Sequence, residues 1–290
     1  MPTGAPVPAG SGAPVGVASR GRDLPTSFDA QVVAAVEARL AGVAREHGVA
    51  VPWAVESGSR AWGFPSPDSD YDCRFLYVRT VDAYLDPWPA RDVVETPLDA
   101  VLDVSGWDVL KAVRLAVAGN ATVGEWLRSP HVYAGHEDFR DELLALVDAV
   151  SDRARVVRHY AHVGADHWDR SGAAEGRTVP LKKVLYAVRP AAVLAWFDAH
   201  PGALVPPMAL DALLDDAPVP ADVRAAVADL VAAKAVTREL GTGVVPPVLR
   251  TWVQGRLDRS DLPAAHDATE PARRARAADG FRALVRRWAP

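Results

Sequence analysis

The sequence predicts an α+β protein in which a small mixed β-sheet is followed by an all-helical domain. Three observations support this fold class. Residues 27–120 alternate helical segments with short strand-like runs such as YDCRFLYV. Four long segments within residues 121–290 space their apolar residues as helices do and lack strand alternation. Residues 1–26 are rich in Pro, Gly and Ala and contain no apolar targeting core, so we expect a disordered tail there.

The composition is that of an ordinary globular protein. The 290 residues can bury a sizeable core, and 49% of them are hydrophobic while 24% are charged. A net charge of only −5 gives no global electrostatic reason to bind nucleic acid or membranes, so any such surface must be local. Cys73 is the only cysteine, which excludes an intrachain disulfide and a cysteine-rich zinc site and favours the cytoplasm. No apolar run reaches the roughly 18 residues that a membrane-spanning helix needs.

Local signals give the order of elements in the first domain. Ser27 can cap a helix whose apolar residues recur at helical spacing until a stop at Gly48. The run VAVPWAVES then predicts a buried strand, GSRAWGF a turn of helix, PSPDSD a loop and YDCRFLYV a second strand. Further strands are predicted in RDVVETPL and DAVLDVSG, before a helix in WDVLKAVRLAVAG that stops at Gly119 and Asn120.

Two aspartates at the start of the second strand form a candidate metal site. Side chains two residues apart on a strand share a face and lie ~7 Å apart, so Asp70 and Asp72 can direct two carboxylates at one point. A hard cation such as Mg²⁺, with Mn²⁺ as an alternative, relieves the repulsion between them. An ordinary solvated turn is the competing interpretation. An EF-hand is excluded, because Cys73 and Arg79 stand where its loop needs glycine and glutamate.

A glycine–serine pair precedes these aspartates. Gly58 allows a tight backbone approach, and Ser59 begins a helix whose free N–H groups favour phosphate. Arg60 and Arg74 flank the motif, and each can contact phosphate or form a salt bridge with the aspartates. The sequence therefore predicts a phosphate-binding turn next to a metal-binding pair of carboxylates.

The string ESGSRAWGFPSPDSDYDCRF resembles the signature of the DNA polymerase β nucleotidyltransferase superfamily, and in particular the predicted nucleotidyltransferases associated with bacterial RNA-repair operons. The similarity continues through GWDVLKAVRLAVAGNATVGEWLRSPHVY and LKKVLYAVRPAAVLAWF and spans about residues 30–260. Cys73 stands where this family usually has valine. The resemblance implies that the glycine–serine turn holds a nucleoside triphosphate and that Asp70 and Asp72 bind Mg²⁺.

The resemblance also implies a third carboxylate on a later strand, which ligates the metal and acts as general base toward the attacking hydroxyl. In DAVLDVSGW, Asp99 and Asp103 share one strand face, opposite two inward-facing apolar residues. We expect Asp103 to be this carboxylate, with Asp99 as the fallback. Asp108 is expected in the first turn of the following helix, where its charge complements the helix dipole.

One face of a predicted helix in the second domain is a further candidate for nucleotide binding. In LKKVLYAVRP, Lys182, Tyr186 and Arg189 recur at i, i+4 and i+7, with Lys183 adjacent. Enzymes of the family that this chain resembles often use a lysine and a tyrosine from the helical domain to grip the nucleotide. The alternative is a solvated basic face with a tyrosine in the core.

Three other features leave two interpretations open. Glu125 and Trp126 match the family pattern, but both can also be packing and capping groups. His159, His162 and His167 lack a further ligand with a defined partner, which is more typical of helix packing than of a metal site. The arginine-rich C-terminal helix can bind a polyanion such as RNA or can dock with a solvated basic side, and docking is favoured.

Together these features predict a nucleotidyltransferase. It is expected to bind an NTP such as ATP and to transfer the nucleoside monophosphate to an acceptor hydroxyl, with pyrophosphate as the leaving group. An RNA end is the preferred acceptor, while a protein, as for an antitoxin-like AMP transferase, and a small molecule remain alternatives. A non-catalytic nucleic-acid-binding module that keeps the same fold is the rival interpretation.

Overall fold

A computed structural model describes residues 24–99, 101–237, 241–258 and 270–290. The α+β class is confirmed, because a five-stranded mixed sheet is accompanied by many helices. Most of the predicted tail, residues 1–23, lies outside the described residues. None of the helices in the described ranges is both long enough and apolar enough to cross a membrane.

The strands and helices are numbered here in chain order. The strands are β1 (Ala50–Glu56), β2 (Tyr71–Val78), β3 (Val93–Glu95), β4 (Leu102–Asp108), β5 (Val132–Gly135), β6 (Thr178–Pro180) and β7 (Thr242–Val244). The α-helices are α1 (Ala30–His47), α2 (Gly58–Ala61), α3 (Val81–Leu85), α4 (Val109–Val117), α5 (Thr122–Leu127), α6 (Glu137–Val150), α7 (Arg153–Ser171), α8 (Leu181–Ala199), α9 (Leu210–Asp215), α10 (Ala221–Val236), α11 (Pro247–Leu257) and α12 (Glu270–Trp288).

Five strands form the main sheet in the order β3–β4–β2–β1–β5. Neighbouring strands are antiparallel except β2 and β4, which run parallel. In this parallel pair Asp72 lies directly opposite Asp103. The register of the sheet therefore brings two of the predicted site residues together.

Both ends of α1 are capped by residues that favour these positions. Asp29, and not the predicted Ser27, is the N-cap, and its carboxylate accepts hydrogen bonds from the backbone N–H groups of Gln31 and Val32. Serine and aspartate both favour this position, so local sequence does not choose between two capping residues two positions apart. The predicted stop at Gly48 is confirmed, with a left-handed φ of 59°.

Helices cover both faces of the sheet. Val36 and Leu40 of α1 are fully buried in one core with Phe75 of β2. The other face forms a second core with α4, α6 and α12, in which Leu76 of β2 and Leu143 of α6 are fully buried. Alternate residues of β2 thus serve two different cores, as expected for a central strand.

The later helices form a third core around α8. Helix α8 is buried along most of residues 184–197, and α7, α9, α10 and α11 pack around it. Phe64, which follows α2 in the chain, is also fully buried in this core. The segment after the glycine–serine turn therefore joins the sheet to the helical part of the molecule.

The structure differs from the sequence prediction after residue 120, where only helices were expected. Strand β5 pairs with β1 at the edge of the main sheet, and β6 pairs with β7 in a separate two-stranded sheet. These strands are four, three and three residues long. Such lengths are too short to show the alternation that identifies a strand. The domain boundary at residue 120 stays a prediction. Strand β5 follows this boundary in the chain and pairs with the sheet that precedes it.

Candidate active site

The turn between β1 and α2 needs glycine at residue 58. Gly58 has a φ of 61°, a left-handed conformation that side chains disfavour. A Cβ at this position would lie 2.1 Å from Oδ2 of Asp72. The backbone N–H of Ser57 donates to the Asp72 carbonyl oxygen at 2.9 Å. Because residue 58 has no side chain, the turn can lie directly against the Asp72 carboxylate.

Ser59 and Arg60 brace the loop that leads into β2. The Ser59 hydroxyl donates to Oγ of Ser69 at 3.0 Å. Arg60 donates to the backbone carbonyl oxygens of Ser69 at 2.7 Å and Asp70 at 3.2 Å, and its guanidinium lies 3.8 Å from the centroid of the Tyr71 ring. These contacts hold the entrance of β2 in place, and a role of Ser59 and Arg60 in phosphate binding stays a prediction.

Arg74 joins the carboxylates of two strands. Its Nη2 donates to Oδ1 of Asp72 at 3.0 Å and to Oδ2 of Asp103 at 2.7 Å. One guanidinium can span both groups because the two aspartates are register partners. Of the two interpretations of Arg74, the structure supports salt bridging. Asp70 is exposed at the entrance of β2, and its side chain makes no ion pair within the described part of the chain.

The three aspartates fit a hard divalent cation in donor type but are not yet gathered around one point. Burial raises the pKa of Asp72, Arg74 lowers it, and the charges of Asp103 and Asp70 raise it again. A divalent cation would relieve this repulsion between carboxylates. Among the described residues, no three His, Cys, Asp or Glu side chains stand close enough to hold a metal ion as they are. The aspartates would have to turn toward a common point, with Arg74 releasing at least one of them.

The other candidates for the third carboxylate have different partners. Asp99 precedes β4, and its pKa is lowered, mainly by a hydrogen bond from the backbone N–H of Val101. Asp108 is the N-cap of α4 and accepts a backbone N–H of the first helical turn at 2.8 Å. Of the three candidates, Asp103 is the one opposite Asp72 in the sheet. The geometry therefore favours Asp103, whose catalytic role stays a prediction.

A buried glutamate beneath the metal motif received no role from the sequence. Glu56, the last residue of β1, is fully buried. Its Oε1 accepts the backbone N–H of Asp72 at 3.1 Å, and its Oε2 accepts the hydroxyl of Tyr133 at 2.5 Å. Burial raises the pKa of Glu56 to about 7. Glu56 thereby links β1, β2 and β5 close to the aspartates. The sequence feature that could have identified this buried glutamate is an acidic residue at the end of an otherwise apolar strand.

Tyr186 is the residue of α8 whose pKa responds to the charges of the aspartates. It is half-buried, and its pKa is raised by burial and then by the charges of Asp72 and Asp70. Lys182 is partly buried one turn earlier on the same helix, whereas Lys183 is exposed. The predicted pairing of a lysine and a tyrosine on one face of α8 is therefore geometrically available.

Arg189, on the same predicted helix face, is buried in an ion pair, and its role in nucleotide binding stays a prediction. Its side chain is 5% exposed and donates to Oε1 of Glu125 at 2.8 Å and to the carbonyl oxygen of Met208 at 3.0 Å. A buried guanidinium needs such a partner, and Glu125 supplies it. Glu125 belongs to α5, so this ion pair fixes α5 to α8, which supports the packing interpretation of Glu125.

Trp126 and the three histidines also have packing surroundings. The centroid of the Trp126 ring lies 4.4 Å from that of Trp107. Burial lowers the pKa of His159 on α7. Together with His162 and His167 on the same helix, it belongs to no metal-binding group within the described residues.

Several arginines of α12 have partners on their own helix or on neighbouring helices. Arg273 donates to the carbonyl oxygens of Val117 and Val150, which end α4 and α6, at 3.2 and 2.7 Å. Arg274 pairs with Glu270 of its own helix, and Arg287 pairs with acidic residues of α6. These contacts fit a docked helix, and contact between α12 and RNA stays a prediction.

The fold and the site define a polymerase-β-like protein, with carboxylates on two adjacent parallel strands beside a glycine turn. The chain matches the model of the RNA repair pathway DNA polymerase beta family, RlaP, over residues 32–283 and belongs to that family. The resemblance found in the sequence is thereby confirmed. The chain is also 33% identical over 221 residues to the uncharacterized protein YcgL of Bacillus subtilis (strain 168), a match that covers 76% of this chain and 83% of that protein. Membership of the family implies a nucleotidyltransferase-like role.

Proposed function

We propose that this protein is a metal-dependent nucleotidyltransferase. It would transfer the nucleoside monophosphate of an NTP such as ATP to an acceptor hydroxyl and release pyrophosphate. The observation that carries the proposal is the meeting of Asp72 and Asp103 on adjacent parallel strands, with Asp70 at the strand entrance and Gly58 directly against Asp72. Membership of a polymerase-β family supports it.

Asp70, Asp72 and Asp103 would hold Mg²⁺ or Mn²⁺, since carboxylate oxygens are the donors that these cations prefer. When bound, the ion would supply charge neutralisation for the triphosphate and the attacking oxygen. Before substrate arrives, Arg74 orients two of the carboxylates through its paired hydrogen bonds. Its positive charge also lowers the pKa of Asp72, which opposes the effect of burial and favours the ionised carboxylate.

The other residues of the site would bind and orient the reactants. Gly58 and Ser59 would contact the triphosphate from the turn after β1, and Lys182 and Tyr186 would contact it from α8. In the transfer step, a bond forms between the acceptor oxygen and the α-phosphorus while the bond from that phosphorus to the bridging oxygen of pyrophosphate breaks. Asp103 would take the proton of the acceptor hydroxyl.

An RNA end is the acceptor that we propose, and its support is the description of the family as an RNA repair family. We propose the cytoplasm as the compartment, which agrees with a single cysteine, Cys73, that is buried as a free thiol. Hydroxyl groups of proteins and of small molecules are the competing acceptors.

The experiment is a transfer assay with each NTP labelled at the α-phosphate, in Mg²⁺ or Mn²⁺. The acceptor panel contains RNAs that end in a 3′-hydroxyl or a 3′-phosphate, mixed proteins and aminoglycosides. We expect label on the RNA with the free hydroxyl. Label on a protein or an aminoglycoside, with none on RNA, would show that the acceptor is a protein or a small molecule. No label on any acceptor, together with no nucleotide binding by calorimetry, would contradict the proposed activity.

A further inference from the structure

Strand β3 ends the main sheet and leaves one of its own edges open. Asp92 and Thr96 form backbone hydrogen bonds with β4, and the alternation of an antiparallel ladder gives Val94 the same direction. Val93 and Glu95 therefore direct their backbone N–H and C=O groups away from the sheet. Within the described part of the chain, no hydrogen-bond partner meets these outward groups.

Large apolar side chains are exposed on both sides of this strand in the chain. Before β3, Leu85 is 75% exposed and Trp88 is 85% exposed. After β3, Leu98 is 75% exposed and Val101 is 51% exposed. One such residue is ordinary on a protein surface, but four of them next to an open strand edge indicate an interaction surface. We call these four residues and the open edge of β3 the β3 edge surface.

A second copy of this chain fits the β3 edge surface better than RNA does. The exposed carboxylates of Asp86 and Glu95 lie among its residues and would repel a polyanion. A strand of three residues is also a short template for a foreign strand. Two copies of β3 that pair antiparallel about a two-fold axis would close both edges at once, because each copy uses the same surface.

We propose that the chain forms a two-fold homodimer through the β3 edge surface. With the axis at Val94, Val93 of one copy pairs with Glu95 of the other, and the outward backbone groups of both residues are satisfied. Antiparallel pairing also sets the residues before one β3 strand against the residues after the other. Trp88 of each copy then packs against Leu98 of its partner, and both are removed from water.

The charges at this edge agree with the same pairing. Arg91 and Glu95 form an exposed ion pair of 2.8 Å within the chain. In the two-fold arrangement, Arg91 of one copy is a diagonal neighbour of Glu95 in the other, about 7–8 Å away and within reach of a long side chain. The two residues can therefore exchange partners between the copies, and no charge is left unpaired at the interface.

Sedimentation of the full chain tests the proposal directly. At about 100 μM chain a micromolar dimer is almost fully formed, and we expect twice the chain mass of 30.9 kDa. Trp88→Ser and Val93→Pro should each raise the dissociation constant by at least about tenfold. Proline at residue 93 removes an outward N–H and keeps the ladder to β4. Val236→Ser is the matched control, because Val236 is 79% exposed on α10 and should leave the dimer unchanged.

A mixing experiment shows whether the ion pair crosses between copies. Arg91→Glu and Glu95→Arg each set like charges against each other in the dimer, so each variant alone should dimerise at least about tenfold more weakly. In an equimolar mixture of the two variants, the charges are complementary across the interface and remain alike within each chain. We expect the mixture to regain most of the wild-type affinity. Circular dichroism verifies that both variants fold.

Three results of these experiments would overturn the proposal. The first is a wild-type chain that stays monomeric at this concentration. The second is a wild-type dimer that Trp88→Ser and Val93→Pro leave unchanged, which would place the interface on another surface. The third is a mixture that dimerises no better than its separate components, because the ion pair would then stay within the chain.

Hydrogen exchange of the wild-type chain covers the case in which the variants do not fold. The outward amides of Val93 and Glu95 are protected only in the dimer, so diluting the chain should speed their exchange. The amides of Val94 and Thr96 face β4 and should exchange at a rate that dilution does not change. Rates for Val93 and Glu95 that are independent of concentration would also overturn the proposal.

Discussion

Two glycines with nearly the same backbone conformation have very different surroundings. Gly48 ends α1 with a φ of 59°, and Gly58 begins α2 with a φ of 61°. A Cβ on Gly48 would meet nothing within 4 Å, whereas a Cβ on Gly58 would collide with the Asp72 carboxylate. The pair therefore separates the cost of backbone strain from the cost of displacing a site residue.

We expect Gly48→Ala to destabilise the protein by roughly 1 to 2 kcal/mol, the cost of a left-handed residue with a side chain. Gly58→Ala should lose at least as much and should also lose nucleotide transfer, because Asp72 must move. Urea denaturation measures the stability of each variant, and transfer of labelled nucleotide measures its activity. If Gly58→Ala were as active as Gly48→Ala, the contact between the turn and Asp72 would have no catalytic importance.

Glu56 predicts a pH dependence of folding stability. Burial raises its pKa from 4.5 in the reference state to about 7 in the folded chain. The folded protein therefore keeps a proton that the unfolded chain releases. The resulting stability is fully present below pH 4.5 and is lost as the pH rises through about 7. A shift of this size corresponds to at most about 3 kcal/mol.

The variant Glu56→Gln isolates this effect, because an amide can keep both the bond from the Asp72 backbone and the contact with Tyr133 without titrating. Between about pH 5 and pH 8, the unfolding free energy of wild type should fall relative to that of Glu56→Gln. Urea denaturation in the presence of a chelator measures the difference. A difference that stays constant over this range would show that Glu56 has an ordinary pKa.

At the scale of elements, two residues of α8 that lie one turn apart have different surroundings. Tyr186 is half-buried and its pKa is raised by burial and by the charges of Asp72 and Asp70, whereas Arg189 is buried in an ion pair with Glu125 of α5. The ion pair fixes α8 to α5. Equal spacing on the helix therefore did not mean equal surroundings.

Two adjacent lysines of α8 test its role in nucleotide binding. Lys182→Ala should raise KM for the NTP by about tenfold or more, since a hydrogen bond to a charged group is worth about 1.5 to 3 kcal/mol. Lys183→Ala is the matched control, because Lys183 is exposed on the next position of the helix. Steady-state kinetics give the KM for the NTP of each variant. Unchanged KM values in both variants would mean that α8 does not contact the nucleotide.

Long periodic elements were predictable from the sequence, and short paired ones were not. The helices that became α1, α4, α8 and α12 follow from apolar spacing and stop signals. Strands β5, β6 and β7 are three or four residues long and exist because of their pairing partners, which no local pattern reveals. The same holds for charged residues, since the burial of Glu56 and Arg189 is decided by partners on other elements.

At the scale of the whole molecule, the candidate site lies where the sheet meets the helical core. Asp72 and Asp103 come from the sheet, and Tyr186, which we propose to contact the nucleotide, comes from helix α8. Phe64, just after the glycine–serine turn, is buried in the helical core. The spacing of the aspartates and of the turn was visible in the sequence because these residues are close in the chain.

The central claim is that the aspartates of β2 and β4 form a metal-dependent nucleotidyl transfer site. The most direct test measures Mg²⁺-dependent label transfer by Asp72→Asn and Asp103→Asn, with Asp99→Asn as the matched control and circular dichroism to verify folding. We predict that the first two variants fold and lose at least about a hundredfold in rate, while Asp99→Asn keeps wild-type activity, because Asp99 has its partners outside the site. Near wild-type transfer by folded Asp72→Asn would contradict the account.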